Sequence, residues 1–455
     1  MKVIIVGVGR TGLTLLSSLS NEEYDIIIID KDKKMVDSIT DKYNVNGFVG
    51  SGASLETLKK AGAESADAII ALTPTDEINL LSCMQAKKLG TRYSCARIVS
   101  PDLVRESKDI KKQYKIDYLI TPRLDAADEI YQNIGMPGFT KIEGFFGNMI
   151  SVLDLNVLDN SPLKDKTLSE IGKSEGQKIL ISAVMRNNKL IIPKGDFTIK
   201  SGDNLTISIV QKDLQKTLEK LGAKRHKVSS IVIVGGGRVA EYFLEKIEHD
   251  PVHVTVLEID KDRCSYLMER FPKCKIVYSG NDVIEAIKEA GIGNPDMFIS
   301  LTDKDETNLV ISMYAWSCKI PAIMTYVENP EHARLLHKVN IDITVSQTSS
   351  CALKCMRFLR YYESIDNDRL IGKFYMAADD NVEIIELPAE EGFPLANIRF
   401  MDPSFKIKSG VIISAIIREG EAILPSGAES IRDEDLVIVT ASRKLKIRSL
   451  REILA

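Results

Sequence analysis

The stretch Val3-Ile4-Ile5-Val6-Gly7-Val8-Gly9-Arg10-Thr11-Gly12 decides how this chain is read, because it recurs 228 residues later as Ile231-Val232-Ile233-Val234-Gly235-Gly236-Gly237-Arg238-Val239-Ala240. Each copy is an apolar run of strand length leading into Gly-x-Gly-x-x-Gly/Ala, the turn that brings backbone close to a diphosphate. An acid stands 21 residues beyond the second glycine both times, Asp30 and Glu258. One such motif is a common accident. Two in phase, each with its acid, argue for a duplicated nucleotide-binding unit.

The repeat extends outward from the glycines. Residues 3–6, 26–29, 68–72 and 95–99 read as strands, with helical patterns at 12–20, 55–61 and 77–89 between them. The second copy has strand patterns at 231–234, 254–257, 297–301 and 322–327. Strand–helix alternation predicts right-handed crossovers and a buried parallel sheet. Gly52 meets Gly280 at the offset of 228; one added residue then makes it 229, where Ala61-Gly62 meets Ala290-Gly291, Asp67 meets Asp296, Leu72-Thr73 meets Leu301-Thr302, and Asn79 meets Asn308.

Helical segments at 123–133 and 348–362 follow the two large domains. Each then gives way to a strand-rich piece in which Pro162, Pro193, Gly195 and Asp203 recur 232 residues later as Pro394, Pro425, Gly427 and Asp435. Short strands broken by Pro, Gly and Asp predict a small α+β module. The expected fold is α/β, with two Rossmann-like parallel-sheet domains at 1–136 and 229–364, followed by small α+β domains at 137–222 and 368–455. Gly135-Met136-Pro137-Gly138 forms one joint. The basic stretch Lys220-Leu221-Gly222-Ala223-Lys224-Arg225-His226-Lys227 forms another, read as a solvated linker.

Composition narrows the function. The 455 residues carry 60 Lys plus Arg against 64 Asp plus Glu, a net charge of −4, which gives nucleic acid no general attraction. No apolar run approaches the roughly 20 residues of a membrane span. The opening apolar run is too short and too early for a secretory signal, so a cytosolic protein is expected. The seven cysteines (83, 95, 264, 274, 318, 351 and 355) form no C-x-x-C pair; Cys351 and Cys355 share a helix face and read as a buried thiol pair, with a redox switch as the alternative. His226, His249, His253, His332 and His337 make no metal motif, and no nucleophile elbow or Walker lysine occurs. No domain supplies the acid/base group that a dehydrogenase needs.

In the first copy, Gly7 permits the tight turn, Gly9 the approach of phosphate, and Gly12 the packing of helix on strand. Val8, Arg10 and Thr11 complete that loop. Asp30 is expected to accept hydrogen bonds from ribose hydroxyls, favouring NAD or a plain adenine nucleotide over NADP. Ser51 and Gly52 follow the third strand. Thr73 follows the fourth, as a ligand contact or a helix cap, and Arg97 on the last strand is a phosphate partner. The second set is Gly235, Gly236, Gly237, Arg238, Val239, Glu258, Gly280 and Thr302, with Tyr326 where Arg97 would be.

The order of two glycine-loop domains, each with a Pro…Gly-Asp module behind it, resembles the tandem RCK (KTN) regulators of potassium transport over essentially the whole chain. The resemblance implies a ring, a tetramer of this tandem chain, on the inner face of the cell membrane beneath a TrkH-type potassium-translocating protein. It implies NAD(H), or ATP and ADP, as the ligands whose binding gates that partner, and no catalytic residues. The family's Gly-Asp after the third strand is Gly52-Ala53 and Gly280-Asn281 here, so that adenosine contact is not carried over. The alternatives are an NAD-dependent oxidoreductase with a cryptic site, and an assembly module with vestigial sites.

Overall fold

The computed structural model describes all residues except 21, 135–138, 158, 160, 176–178, 188, 222–226, 281, 290–294, 340, 342, 367–373 and 378–380. The Gly135–Gly138 joint, most of the basic linker with His226, Asn281 and the Ala290-Gly291 match lie outside the described residues. The chain divides into two compact units, one made of Met1–Ala126 with Ser346–Asp368 and the other of Ala127–Val345 with Arg369–Ala455.

The first unit is built on six parallel strands: β1 (Lys2–Val6), β2 (Asp25–Asp30), β3 (Asn46–Val49), β4 (Ala68–Ala71), β5 (Tyr93–Arg97) and β6 (Tyr118–Ile120). Their order is β3-β2-β1-β4-β5-β6, the doubly wound arrangement in which the chain reverses direction between β1 and β4. Val3, Ile4, Ile5 and Val6 are all at most 1% exposed, because crossover helices cover both faces of a parallel sheet. Only one of those faces is covered by the domain's own neighbouring segments alone. On the other, Cys351, Ala352, Cys355, Met356, Phe358 and Leu359 of the helix Gln347–Asp366 join Val3, Ile5, Leu15, Leu16, Ile28 and Cys95 in one core. A buried ion pair, Arg360 to Glu22 at 2.8 Å, and a Lys354–Asp125 pair fix that helix in place. The helix follows the second large domain in sequence, yet its apolar face is buried on the first sheet.

This placement buries the thiol pair. Cys351 and Cys355 are buried beside Cys95. Burial pushes the Cys355 thiol well above its ordinary pKa. The hydrogen bond with Cys355, together with burial, does the same to Cys351. Buried thiols held protonated are poor nucleophiles, which favours packing over a redox switch.

In the second unit, β7 (Phe139–Phe145), β8 (Ile150–Asn156), β9 (Ile179–Arg186), β10 (Lys189–Ile191) and β11 (Asn204–Val210) form an antiparallel sheet ordered β10-β9-β11-β8-β7. A second parallel sheet repeats the first: β12 (Ser230–Val234), β13 (His253–Glu258), β14 (Lys275–Tyr278), β15 (Met297–Ser300), β16 (Ala322–Tyr326) and β17 (Ile343–Val345), ordered β14-β13-β12-β15-β16-β17. The last sheet contains β18 (Phe374–Ala377), β19 (Val382–Pro388), β20 (Val411–Arg418), β21 (Glu421–Ile423) and β22 (Leu436–Ser442), with the topology of the other small sheet.

The two small sheets share one core. Phe145, Val152, Ala183 and Met185 interdigitate with Tyr375, Ile384, Ala415 and Ile438, and the Phe146 amide donates to Glu386 at 2.7 Å. The Asp that recurs as Asp203 and Asp435 is explained here. Asp203 accepts two bonds from the Arg186 guanidinium, both 2.7 Å, and one from the Lys200 amide at 2.8 Å. Asp435 accepts two from Arg418, at 2.9 and 2.8 Å, and one from the Arg432 amide at 2.7 Å. A buried carboxylate is tolerable when every oxygen is so matched.

Candidate functional site

The first glycine loop lies where β1 ends, at the carboxyl edge of the sheet beside the reversal of strand order. Gly7 has φ +87°, and a Cβ there would meet the Thr73 amide nitrogen at 2.8 Å. A Cβ at Gly12 would meet the Gly7 carbonyl oxygen at 2.4 Å, so the helix Arg10–Leu19 can start this close to the strand only with glycine there. Gly9 differs: nothing lies within 4 Å of its Cβ position, and its backbone is extended. Space in front of Gly9 is therefore open. Gly9 caps a helix of ten residues that has no acid in its first turn and no side-chain cap, which leaves amide donors and the positive end of the helix dipole facing that space.

Asp30 ends β2 and braces the loop. It accepts the Val8 amide at 2.8 Å and the Asp32 amide at 3.0 Å, one on each oxygen. Each carboxylate oxygen has a second lone pair, so acceptor capacity for hydroxyls remains. Across the loop stands Arg97 on β5. Its Nη1 donates to the Thr73 carbonyl at 3.4 Å, and its buried Nε has no hydrogen-bond partner among the described residues. A half-buried guanidinium without a carboxylate partner among the described residues, beside an open, amide-lined loop, suits an anion. Val8 is buried under the loop, Thr11 is half-buried, and Arg10 is exposed at its rim.

Thr73 is not a helix cap. Its amide and hydroxyl both donate to Asn79 Oδ1, at 2.8 and 2.7 Å, and the cap of the next helix is Thr75. Asn79 is fully buried and donates to the carbonyls of Thr73 and Arg97 at 2.9 and 2.8 Å, tying the loop after β4 to the end of β5. Asn308 does the same for Thr302 and Tyr326. Asp76 likewise accepts the Val99 and Ser100 amides, as Asp305 accepts those of Glu328 and Asn329. Sequence reasoning assigned these four residues no role, although all sit at the 229-residue offset. Gly52 answers to packing, since a Cβ there would meet Val6 Cγ1 at 2.1 Å. Ser51 accepts the Ala53 amide at 3.3 Å within the same turn. Gly280 instead has φ +57° and open space around it.

The second loop repeats the backbone. Gly235 has φ +102°, Gly237 caps the helix Arg238–Ile247 with open space at its Cβ, and Val239 is buried. Glu258 braces this loop as Asp30 braces the first, accepting the amides of Gly236 at 2.6 Å and Asp260 at 2.9 Å, and takes that of Ile259 at 2.7 Å as well. The loop's surroundings differ. Tyr326 stands where Arg97 is in the first copy and binds Glu328.

Among the described residues, no group of three or more His, Cys, Asp or Glu side chains is placed to hold a metal ion, and no helix is long and apolar enough to cross a membrane.

Comparison with known proteins agrees with this geometry. The TrkA-N domain model matches residues 3–122 and again 231–347, and the TrkA-C domain model matches 152–222. The chain is 27% identical over 446 residues to the Trk system potassium uptake protein TrkA homolog of Archaeoglobus fulgidus, covering 97% of each. It is 26% identical over 456 residues to the TrkA protein of Halomonas elongata, covering all of this chain and 98% of that one. Among solved structures, the GsuK channel bound to NAD superposes with TM-score 0.62 at 17% identity, over 98% of this chain and 78% of the other. The GsuK RCK domain does so with TM-score 0.61 at 17% identity, over 98% and 93%. At such identities the structural likeness establishes the fold.

Proposed function

The chain belongs to the TrkA family of tandem RCK, or KTN, proteins, and from that premise we propose that it is a nucleotide-binding regulatory subunit, without catalytic activity, that gates a TrkH-type potassium-translocating membrane protein. The observation that carries this is the first loop: open space at Gly9, an acid-free helix start, Asp30 at the ribose position and Arg97 with a free donor, all converging on one edge of the sheet. In this reading the amides of residues 9–12 and Arg97 take the diphosphate, while Asp30 takes the ribose hydroxyls. NAD(H) is the expected ligand, with ATP and ADP as competitors. A related fold solved in a channel bound to NAD supports that choice. Gly235, Gly236, Gly237, Arg238, Val239, Glu258, Gly280 and Thr302 form the corresponding second set.

Binding does gating work only through a difference in affinity between two shapes of the assembly; equal affinity shifts nothing. The assembly proposed is a ring of four tandem chains on the cytoplasmic face of the membrane. The helix Asp305–Ser317 supports association between copies, since Val310, Met313 and Trp316 recur on one face and are 57%, 49% and 49% exposed. Calorimetric titration with NADH, NAD, ATP and ADP tests the ligand. Saturable binding of at least one of the four without turnover is expected. Absence of binding by all four would overturn the reading.

A further inference from the structure

The two glycine loops share a backbone and differ in charge. In the second, Glu241 sits in the first turn of the helix Arg238–Ile247, nearly buried. It accepts the Arg238 guanidinium at 2.7 Å, the Arg263 guanidinium at 2.6 Å and the Tyr266 hydroxyl at 2.7 Å. Arg263 reaches the loop itself, donating from Nε to the Gly236 carbonyl at 2.7 Å and from Nη2 to the Gly237 carbonyl at 3.4 Å. The middle glycine is thus held at both backbone groups, its amide by Glu258 and its carbonyl by Arg263. In the first copy, the residues at the offset of 228 are Leu13, Met35 and Ser38, none of which can build this network.

The consequence for an anion is direct. The positive end of a helix attracts phosphate, and a carboxylate in the same first turn already uses that field. Both arginines near the second loop are committed to Glu241, and the cation that the first site offers from β5 is Tyr326 here. Space at Gly237 is as open as at Gly9, but a diphosphate in the second loop gains a guanidinium partner only by taking it from Glu241. At the first loop the helix starts without an acid, and Arg97 is held only by the Thr73 carbonyl, at 3.4 Å, among the described residues.

We infer that the Glu241–Arg263 network closes the second loop to dinucleotides, so that each chain binds one nucleoside diphosphate ligand, at the first loop. This rests on the nucleotide-binding reading above. The second domain then acts as a fixed partner, and the response to ligand is asymmetric within each chain.

The test is NADH titration of the full chain and of Gly9→Asp, with hydrogen exchange of the parent chain with and without NADH. Expected are one equivalent per chain, loss of affinity by at least about 100-fold in Gly9→Asp, and protection by NADH of residues 7–12 but not of 235–240. The exchange measurement stands even if the variant folds poorly. Saturable binding retained by Gly9→Asp near the parent affinity, or protection of residues 235–240, would overturn the inference and leave the functional reading intact. No binding by the parent chain would overturn that reading and the inference with it.

Discussion

The Val8 amide donates to the Asp30 carboxylate at 2.8 Å, so the glycine loop is tied to the end of the second strand before any ligand arrives. The same carboxylate therefore shapes the loop and faces the ribose position. Removing it should cost on both counts. Asp30→Ala is expected to weaken NADH binding by about 1.5–3 kcal/mol per lost charge-assisted bond. It should also raise hydrogen exchange at Val8. Calorimetry and exchange read the two effects separately, and unchanged affinity with a loosened loop would limit Asp30 to the structural role.

Arg97 forms no ion pair among the described residues and gives the fold one long bond, from Nη1 to the Thr73 carbonyl at 3.4 Å, so it contributes little to stability. Arg97→Met should leave thermal stability within about 1 kcal/mol of the parent. It should lower affinity for NADH about 10- to 100-fold. A variant that binds as the parent does would show that the guanidinium does not meet the phosphates.

Arg360 and Glu22, each with a side chain only 3% exposed, pair at 2.8 Å within the first unit, joining the helix Gln347–Asp366 to the segment after the helix Arg10–Leu19. Glu22→Ala removes a carboxylate partner from a buried guanidinium and should destabilise the first unit by about 1–3 kcal/mol. Replacing both, as Glu22→Leu with Arg360→Met, should recover most of that loss. Urea unfolding of the three chains checks it; a small effect of the single change would mean that this pair does not anchor the helix.

Burial raises the Glu241 pKa, but bonds from Arg263, Tyr266 and Arg238 outweigh it, leaving the carboxyl below its ordinary range. A carboxylate lowered in the folded state adds stability that is complete above its unfolded pKa of about 4.3 and is lost as pH falls through the folded value. As pH falls below the unfolded value of about 4.3, the parent should therefore lose more stability than Glu241→Gln. Equal acid losses in the two chains would remove the carboxylate's charge from the account of the second loop.

Trp316 is the chain's single tryptophan and stands on the exposed apolar face of the helix Asp305–Ser317. If that face joins copies, tryptophan emission should shift to the blue as the protein is concentrated, in step with mass measured by light scattering. Assembly without a shift would place the interface elsewhere.

The sequence carried the central strands because they are buried on both faces and read as unbroken apolar runs. The edge strands Asn46–Val49 and Tyr118–Ile120 escaped because they are short and only partly buried, which removes that signal. The periodicity of residues 348–362 marked a helix with an apolar face but could not say which sheet covers it. At the site, Gly7, Gly12 and Asp30 were legible because backbone geometry demands them at fixed spacing. Asn79, Glu241 and Arg263 were not, since each takes its meaning from partners that only the fold brings near. The contrast between Glu241 and Leu13 was visible at the repeat offset, but a lone charged residue in a helix usually faces water.

The central claim is that nucleotide at the first loop controls potassium movement through a partner. Potassium flux in vesicles holding a TrkH-type protein, with this chain or its Gly9→Asp variant added and NADH varied, tests it most directly. The account predicts flux that changes with NADH for the parent chain and not for Gly9→Asp. Flux indifferent to NADH with the parent chain bound, or equally responsive with Gly9→Asp, would contradict it.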